Sequence, residues 1–268
     1  MIECSIEKEL KSMKTTFKVL FIKGYYCGKA VLNVIVYLLF AIYVAYLIAV
    51  APIMSTKVLY SIILVIALGT CLYYEYLKHF YHKMIGVLIN DCDPQQAISL
   101  RNQFQKLDVF RGFKGSLIVF NTLLLMDTGQ YESCLRWLNE NDRFFRSSID
   151  NLFIMYHTRL QLAWLLNDPT AADFAMNGLT KIRGTKQKKY SPLFSWDEID
   201  GLDCLIKGRH TKALQYFLHV DREKLNQREI TYLNAMLIQT YRQLEQTNRI
   251  GDYAKENREF GGKLALVN

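Results

Sequence analysis

Residues 126–135 read MDTGQYESCL, and this stretch decides how the rest of the chain is parsed. Asp127, Thr128 and Gly129 are turn formers, and a glycine can take the left-handed backbone that ends one helix so another can begin. Tyr131 follows, and Cys134 is small where two helices would cross closely. The stretch therefore reads as a helix–turn–helix joint. A second copy is IKGRHTKAL at 206–214, with Gly208 and Ala213 in the matching places. Sliding the same template along the chain finds weaker copies at Cys92-x-Pro94-x-x-Ala97, Asn167-x-Pro169-x-x-Ala172 and Asn248-x-Ile250-x-x-Tyr253. The joints start at 92, 129, 167, 208 and 248, intervals of 37, 38, 41 and 40 residues. A near-constant period in that range is the mark of stacked helical hairpins.

Local chemistry agrees with that parsing. Asp93-Pro94 and Asp168-Pro169 each put a hydrogen-bond acceptor at an N-cap and a proline in the first helical position. Ser191-Pro192 does the same for the first helix of the fourth unit. Ala97, Cys134, Ala172 and Ala213 are the small residues of the joints. The G-x-Y-x-x-(small) run of Gly129, Tyr131 and Cys134, with Gly208 to Ala213, resembles the turn of tetratricopeptide repeats over residues 75–265. The fold that this resemblance implies is an α-solenoid of about five helical hairpins, with a concave groove for proteins or peptides. It brings no catalytic residues with it. The fold class expected is thus all-α.

Upstream, Ala30–Ala51 is AVLNVIVYLLFAIYVAYLIAVA, 22 residues without a charge, and 58–74 is VLYSIILVIALGTCLYY, again uncharged. The first run is long enough for a hydrocarbon core of about 30 Å, and the second reaches it with interfacial Tyr and Lys side chains. About half a dozen residues join them, so the expectation is a tight two-helix transmembrane hairpin over 30–74. Ala49-Val50-Ala51 has the look of a signal-peptide cleavage site. The apolar run is too long, however, and Pro52 follows the would-be cut. Lys18, Lys23 and Lys29 precede the first span, and Lys78 and Lys83 follow the second, with only Lys57 between. By the positive-inside bias both termini face the cytoplasm. The first 29 residues carry Ile2, Ile6, Leu10, Met13, Phe17 and Leu20 on one helical face beside a lysine stripe. Such a helix lies on an anionic membrane surface or packs on the cytoplasmic domain.

The net charge of +8 is unevenly placed: residues 1–30 hold six lysines against three glutamates, while 90–268 hold 24 basic and 21 acidic groups. A nucleic-acid binder concentrates its positive charge on the folded domain, so nucleic acid is not an expected partner. Six widely spaced cysteines form no C-x-x-C pair and read as free thiols used as small apolar residues.

The junction CLYYEYLKHFYHK, 71–83, holds His79-x-x-His82, a spacing that can put two ligands on one helix face. No third ligand accompanies them and the intervening residues are Phe80 and Tyr81, so the stretch reads as an interfacial belt of Tyr73, Tyr74, Tyr76, Lys78, Phe80, Tyr81 and Lys83. The helix is expected to run on through Ile89 as the first helix of the first pair. The acidic cluster Asp197, Glu198, Asp200 and Asp203 could do acid–base chemistry. It reads better as helix-dipole charge followed by a stripe, Asp200 and Asp203, facing a partner. The basic loop Lys181, Arg183, Lys186, Lys188 and Lys189 reads as solvated, with anionic lipid or an acidic partner as its sharper use.

No phosphate-binding, dinucleotide-binding or nucleophile-elbow motif occurs, and no cofactor or catalytic residue is expected. Residues 1–29, 30–74 and 75–268 are accordingly expected to be a basic amphipathic helix, a hairpin anchor and a cytoplasmic repeat domain. The role expected is a non-enzymatic, multi-pass adaptor or scaffold in a plasma membrane of bacterial type, contacting lipids and a protein or peptide. The alternative is an accessory subunit of a membrane transport or secretion assembly.

Overall fold

The computed structural model describes residues 35–184 and 194–267, and within them every regular element is helical. The amphipathic segment 1–29, the first five residues of the expected first span, Lys186, Lys188, Lys189 and the Ser191-Pro192 cap lie outside the described residues. The chain divides into two compact units between Tyr76 and Leu77.

The first unit holds α1 (Ile35–Val50) and most of α2 (Met54–Ile89). Only Ala51, Pro52 and Ile53 separate them, fewer than the half-dozen residues expected. Pro52 lacks an N–H and disfavours helical backbone in the residue before it, so α1 ends there. Met54-Ser55-Thr56-Lys57 contains no breaker, and the Lys57 amide already donates to the Ile53 carbonyl at 3.2 Å. Helix α2 then runs unbroken through residues 74–84 to Ile89, as its lack of Gly and Pro in that stretch predicts.

The second unit continues with α3 (Pro94–Leu107), α4 (Lys114–Asp127), α5 (Tyr131–Glu140), the single turn α6 (Asp142–Phe145), α7 (Ile149–Leu165), α8 (Pro169–Arg183), α9 (Trp196–Ile206), α10 (His210–His219), α11 (Gln227–Gln243) and α12 (Ile250–Phe260). Helices α4–α5, α7–α8, α9–α10 and α11–α12 pack as consecutive pairs. The second helix of each pair also touches the first of the next, as in α3–α4, α5–α7, α8–α9 and α10–α11. First helices meet one another in α7–α9 and α9–α11.

Five residues with left-handed backbone mark the joints: Cys92, Gly129, Asn167, Gly208 and Glu245, with φ of 49°, 73°, 54°, 70° and 59°. They recur at intervals of 37, 38, 41 and 37 residues. Four share one hydrogen-bond pattern. The next amide reaches back five residues, Gln130 to Leu125, Asp168 to Ala163, Arg209 to Cys204 and Gln246 to Tyr241, at 2.8–2.9 Å. The left-handed residue itself reaches back three. This double closure satisfies carbonyls that a helix end otherwise leaves unpaired. Asp93 and Asp168 then cap the following helices by accepting from the Gln96 and Ala171 amides, each at 3.0 Å. Five residues past the first four joints stand Ala97, Cys134, Ala172 and Ala213, all fully buried.

Two expectations are corrected. The last joint sits at Glu245 rather than Asn248, because a 3-10 turn, Thr247–Arg249, intervenes before α12 starts. Helix α9 starts at Trp196 with Ser195 as its cap, so Asp197 and Glu198 fall in its first turn.

Helices α7, α9 and α11 are buried on nearly every side, whereas α5, α8, α10 and α12 bury a single stripe. The pairs thus form an inner and an outer layer. The inner layer is filled: the Trp164 indole on α7 donates to Gln239 on α11 at 2.5 Å. Residues following α12 fold back on the early joints. The Ala265 amide donates to the Asp127 carbonyl at 2.9 Å, and Lys263 pairs with Asp93.

Candidate functional site

The surface of the first unit is chemically the most unusual. Leu39, Ile42, Val50, Val65 and Ile66 are each 61–70 % exposed, and in water such a continuous apolar face has a large hydration cost. Two of its hydroxyls bond to carbonyls of their own helix, the arrangement that serves a polar side chain in hydrocarbon. The Ser61 hydroxyl donates to the Lys57 carbonyl at 2.9 Å, and Thr70 to Ile66 at 2.8 Å. The Tyr37 hydroxyl on α1 donates to Glu75 on α2 at 3.4 Å. Among the described residues one helix, α2, is long and apolar enough to cross a membrane, with a mean hydropathy of 1.8 over its best 18-residue window. Helix α1 is apolar over the 16 residues described.

The aromatic junction divides into two environments. Tyr74 and Tyr76 are exposed, as are His79, His82 and Lys83, whereas Tyr73 and Lys78 are half-buried. Phe80 and Tyr81, expected at headgroup level, are half-buried and pack against rings of the second unit. Phe80 lies 5.8 Å from the Phe104 ring, and Tyr81 lies 6.0 Å from Phe104 and 5.7 Å from Phe113. The reason is helical phase. Both side chains follow the stripe of Leu77, Met84 and Leu88 that α2 buries. Among the described residues no three of His, Cys, Asp and Glu gather as a metal-holding group.

Three of the charged residues read as partner-facing, Arg183, Asp200 and Asp203, have partners within the chain. Arg183 donates to both carboxylate oxygens of Asp200 at 2.9 Å and lies over the Trp196 ring at 4.0 Å. A single nitrogen, Nη2, makes both contacts, and the stacking on Trp196 adds a cation–π attraction. Asp203 is nearly buried and gathers Lys207 at 2.7 Å and Arg209 at 2.8 Å, with Lys207 also reaching Asp173 at 2.9 Å. These groups lock α8, α9 and the Gly208 joint together. Lys181 is exposed beside them. Of the joint residues, Tyr131 is half-buried against the core, and burial raises its phenol.

The second unit also buries polar groups that local sequence does not reveal. Asp127, fully buried, accepts from the Arg228 Nε at 2.7 and 2.9 Å and from the Tyr232 hydroxyl at 3.0 Å. These partners come from the second and fifth helix pairs. Burial raises the Asp127 carboxyl, and Arg228 and Tyr232 draw it back. His157 on α7 meets Glu198 on α9 at 3.2 Å, with the Phe194 ring stacked 3.8 Å from the imidazole. Glu229 lies within electrostatic reach of that pair, and burial raises its carboxyl. Burial likewise pushes the Cys92 thiol up to about 11 and that of Cys134 up to about 12, which leaves neither with thiolate at neutral pH.

In the sequence, Asp127 looks like a turn residue and Arg228 like a solvated helix charge. Only their pairing, 101 residues apart, gives them a role. These polar groups are buried and tie together helices distant in sequence. Compared with known families, curated proteins and solved structures, the chain has no match.

Proposed function

We propose that the protein is a membrane-anchored, non-enzymatic adaptor. In this reading α1 and α2 form a two-span hairpin, and the helix pairs after Leu77 form a tetratricopeptide-like solenoid that holds a protein or peptide at the cytoplasmic face of a plasma membrane. The observation that carries it is one juxtaposition: helices with an apolar outer surface are continuous in sequence with packed helix pairs whose five joints recur every 37–41 residues. Tethering confines the pairs to a surface, which raises their effective concentration for partners held there. The interior polar groups support a structural rather than a catalytic use, because each faces another protein group. Lys181 and the exposed edges of Phe174 and Leu218 are where a partner can reach the second unit, since α7, α9 and α11 are covered by their own neighbours.

The test is an anchor exchange. Residues 30–74 are replaced by an unrelated two-span hairpin, and proteins cross-linked in cells to each form are identified. An adaptor keeps its partner after the exchange. Loss of the partner with the chain still folded and membrane-bound overturns the adaptor reading and favours the accessory subunit, whose spans themselves make the contacts.

A further inference from the structure

The connection between α3 and α4 is built to hold two apolar side chains outward. Asp108 is buried, and its two carboxylate oxygens accept the Gly112 and Phe113 amides at 2.9 and 3.0 Å. Arg111 takes left-handed backbone, φ 52°, and its amide donates to the Asp108 carbonyl at 3.0 Å. The turn so formed leaves Val109 72 % and Phe110 80 % exposed, the latter more than any other large apolar side chain among the described residues. Lys106, Arg111 and Lys114 surround this tip and are all exposed. Asp108, the one carboxylate in residues 94–126, is turned inward onto the loop amides, so the loop itself presents cations outward. Beside it a cavity of about 400 Å³ is lined by Arg111, Lys114, Leu117, Trp137 and Asn141 among others.

We propose that this loop docks on an anionic bilayer surface, with Val109 and Phe110 entering the interfacial region and the three cations contacting phosphate-bearing headgroups. An apolar tip inside a basic collar fits that boundary, where apolar burial and attraction to anionic lipid act together. Covalent geometry puts a bilayer within reach. Phe113 packs on Tyr81, and Tyr81 follows the end of the apolar run at Tyr74 by seven residues, a tether of at most about 25 Å. The inference rests on the membrane reading of residues 30–74.

The full chain is reconstituted in vesicles of phosphatidylcholine alone or with phosphatidylglycerol, carrying a photo-crosslinking amino acid at position 110, 62 or 218. Mass spectrometry then counts lipid adducts. Position 62 gives adducts in both vesicles. Position 110 gives adducts mainly with phosphatidylglycerol, and position 218 on α10 gives few. Each cation contributes roughly fivefold at an anionic surface, so Lys106→Glu with Arg111→Glu and Lys114→Glu removes the adducts at 110 and leaves those at 62. Adducts at 62 with none at 110 above the level of 218 overturn the loop inference alone. Cross-links from 110 to protein instead of lipid overturn it too. Absence of adducts at 62 overturns the membrane reading, and the inference with it.

Discussion

Asp127 shows what a single side chain does in this molecule. A carboxylate out of water is costly unless its partners replace the lost hydration, and here Arg228 and Tyr232 on α11 do so from 101 and 105 residues along the chain. Removing one partner, as in Arg228→Met, leaves that charge uncompensated and costs about 3–5 kcal/mol. Changing both, Asp127→Leu with Arg228→Met, recovers most of the loss. Urea unfolding of the full chain in detergent measures both, and equal losses in single and double variants contradict the assignment. Asp93 makes a pH prediction. The Gln96 amide, then Lys263, hold its carboxyl below the usual range, so its stabilisation is complete above about pH 4 and fades as pH falls through the lowered folded value. Asp93→Asn therefore narrows its stability gap to wild type in acid, and a constant gap from pH 3 to 7 (roughly the carboxylate range) contradicts this.

At the scale of elements, the joints were the legible part, and the reason is local. A left-handed stop and a small crossing residue lie within six positions at each of the first four joints, with a capping Asp-Pro at two of them, so the sequence alone places these joints. The fifth was misplaced by three residues because Glu245 takes φ 59° without being glycine and a 3-10 turn delays α12. That contrast is testable. A Cβ at Gly208 would meet nothing within 4 Å, so Gly208→Ala adds no clash and costs only the strain of a Cβ on left-handed backbone, about 1 kcal/mol. Glu245→Gly relieves the same strain and gains a similar amount. Thermal unfolding followed by circular dichroism separates the two, and shifts of the same sign contradict the shared joint geometry. The acidic stripe of α9 was legible as a cluster but not as a set of pairs. Asp200 and Asp203 looked open in sequence because their partners, Arg183 on α8 and Arg209 past the joint, are brought in only by packing. Phe80 and Tyr81 read from composition as part of a belt, and helical phase adds what composition lacks: each is half-buried against rings of α3 or the turn after it.

Over the whole molecule, the chain joins an apolar-surfaced unit to one whose interior is dense and sealed. The thiols report the second property: Cys92 and Cys134 are buried and held above their ordinary pKa. Both resist maleimide until the chain unfolds, whereas brisk labelling under native conditions contradicts the packing described. What sequence could not supply at this scale was closure, the return of residues 263–265 and α11 onto Asp93 and Asp127. Those contacts bridge roughly a hundred residues or more, and no local pattern announces them. The proposed anchoring was legible from two uncharged runs, since lipid demands length and apolarity and little else. The most direct measurement of it is cysteine accessibility in intact cells, with Met54→Cys at the start of α2 and Leu218→Cys on α10. The account predicts that an impermeant maleimide labels position 54 from outside and reaches position 218 only after permeabilisation. Labelling of position 218 from outside, or recovery of the chain in the soluble fraction, would contradict it.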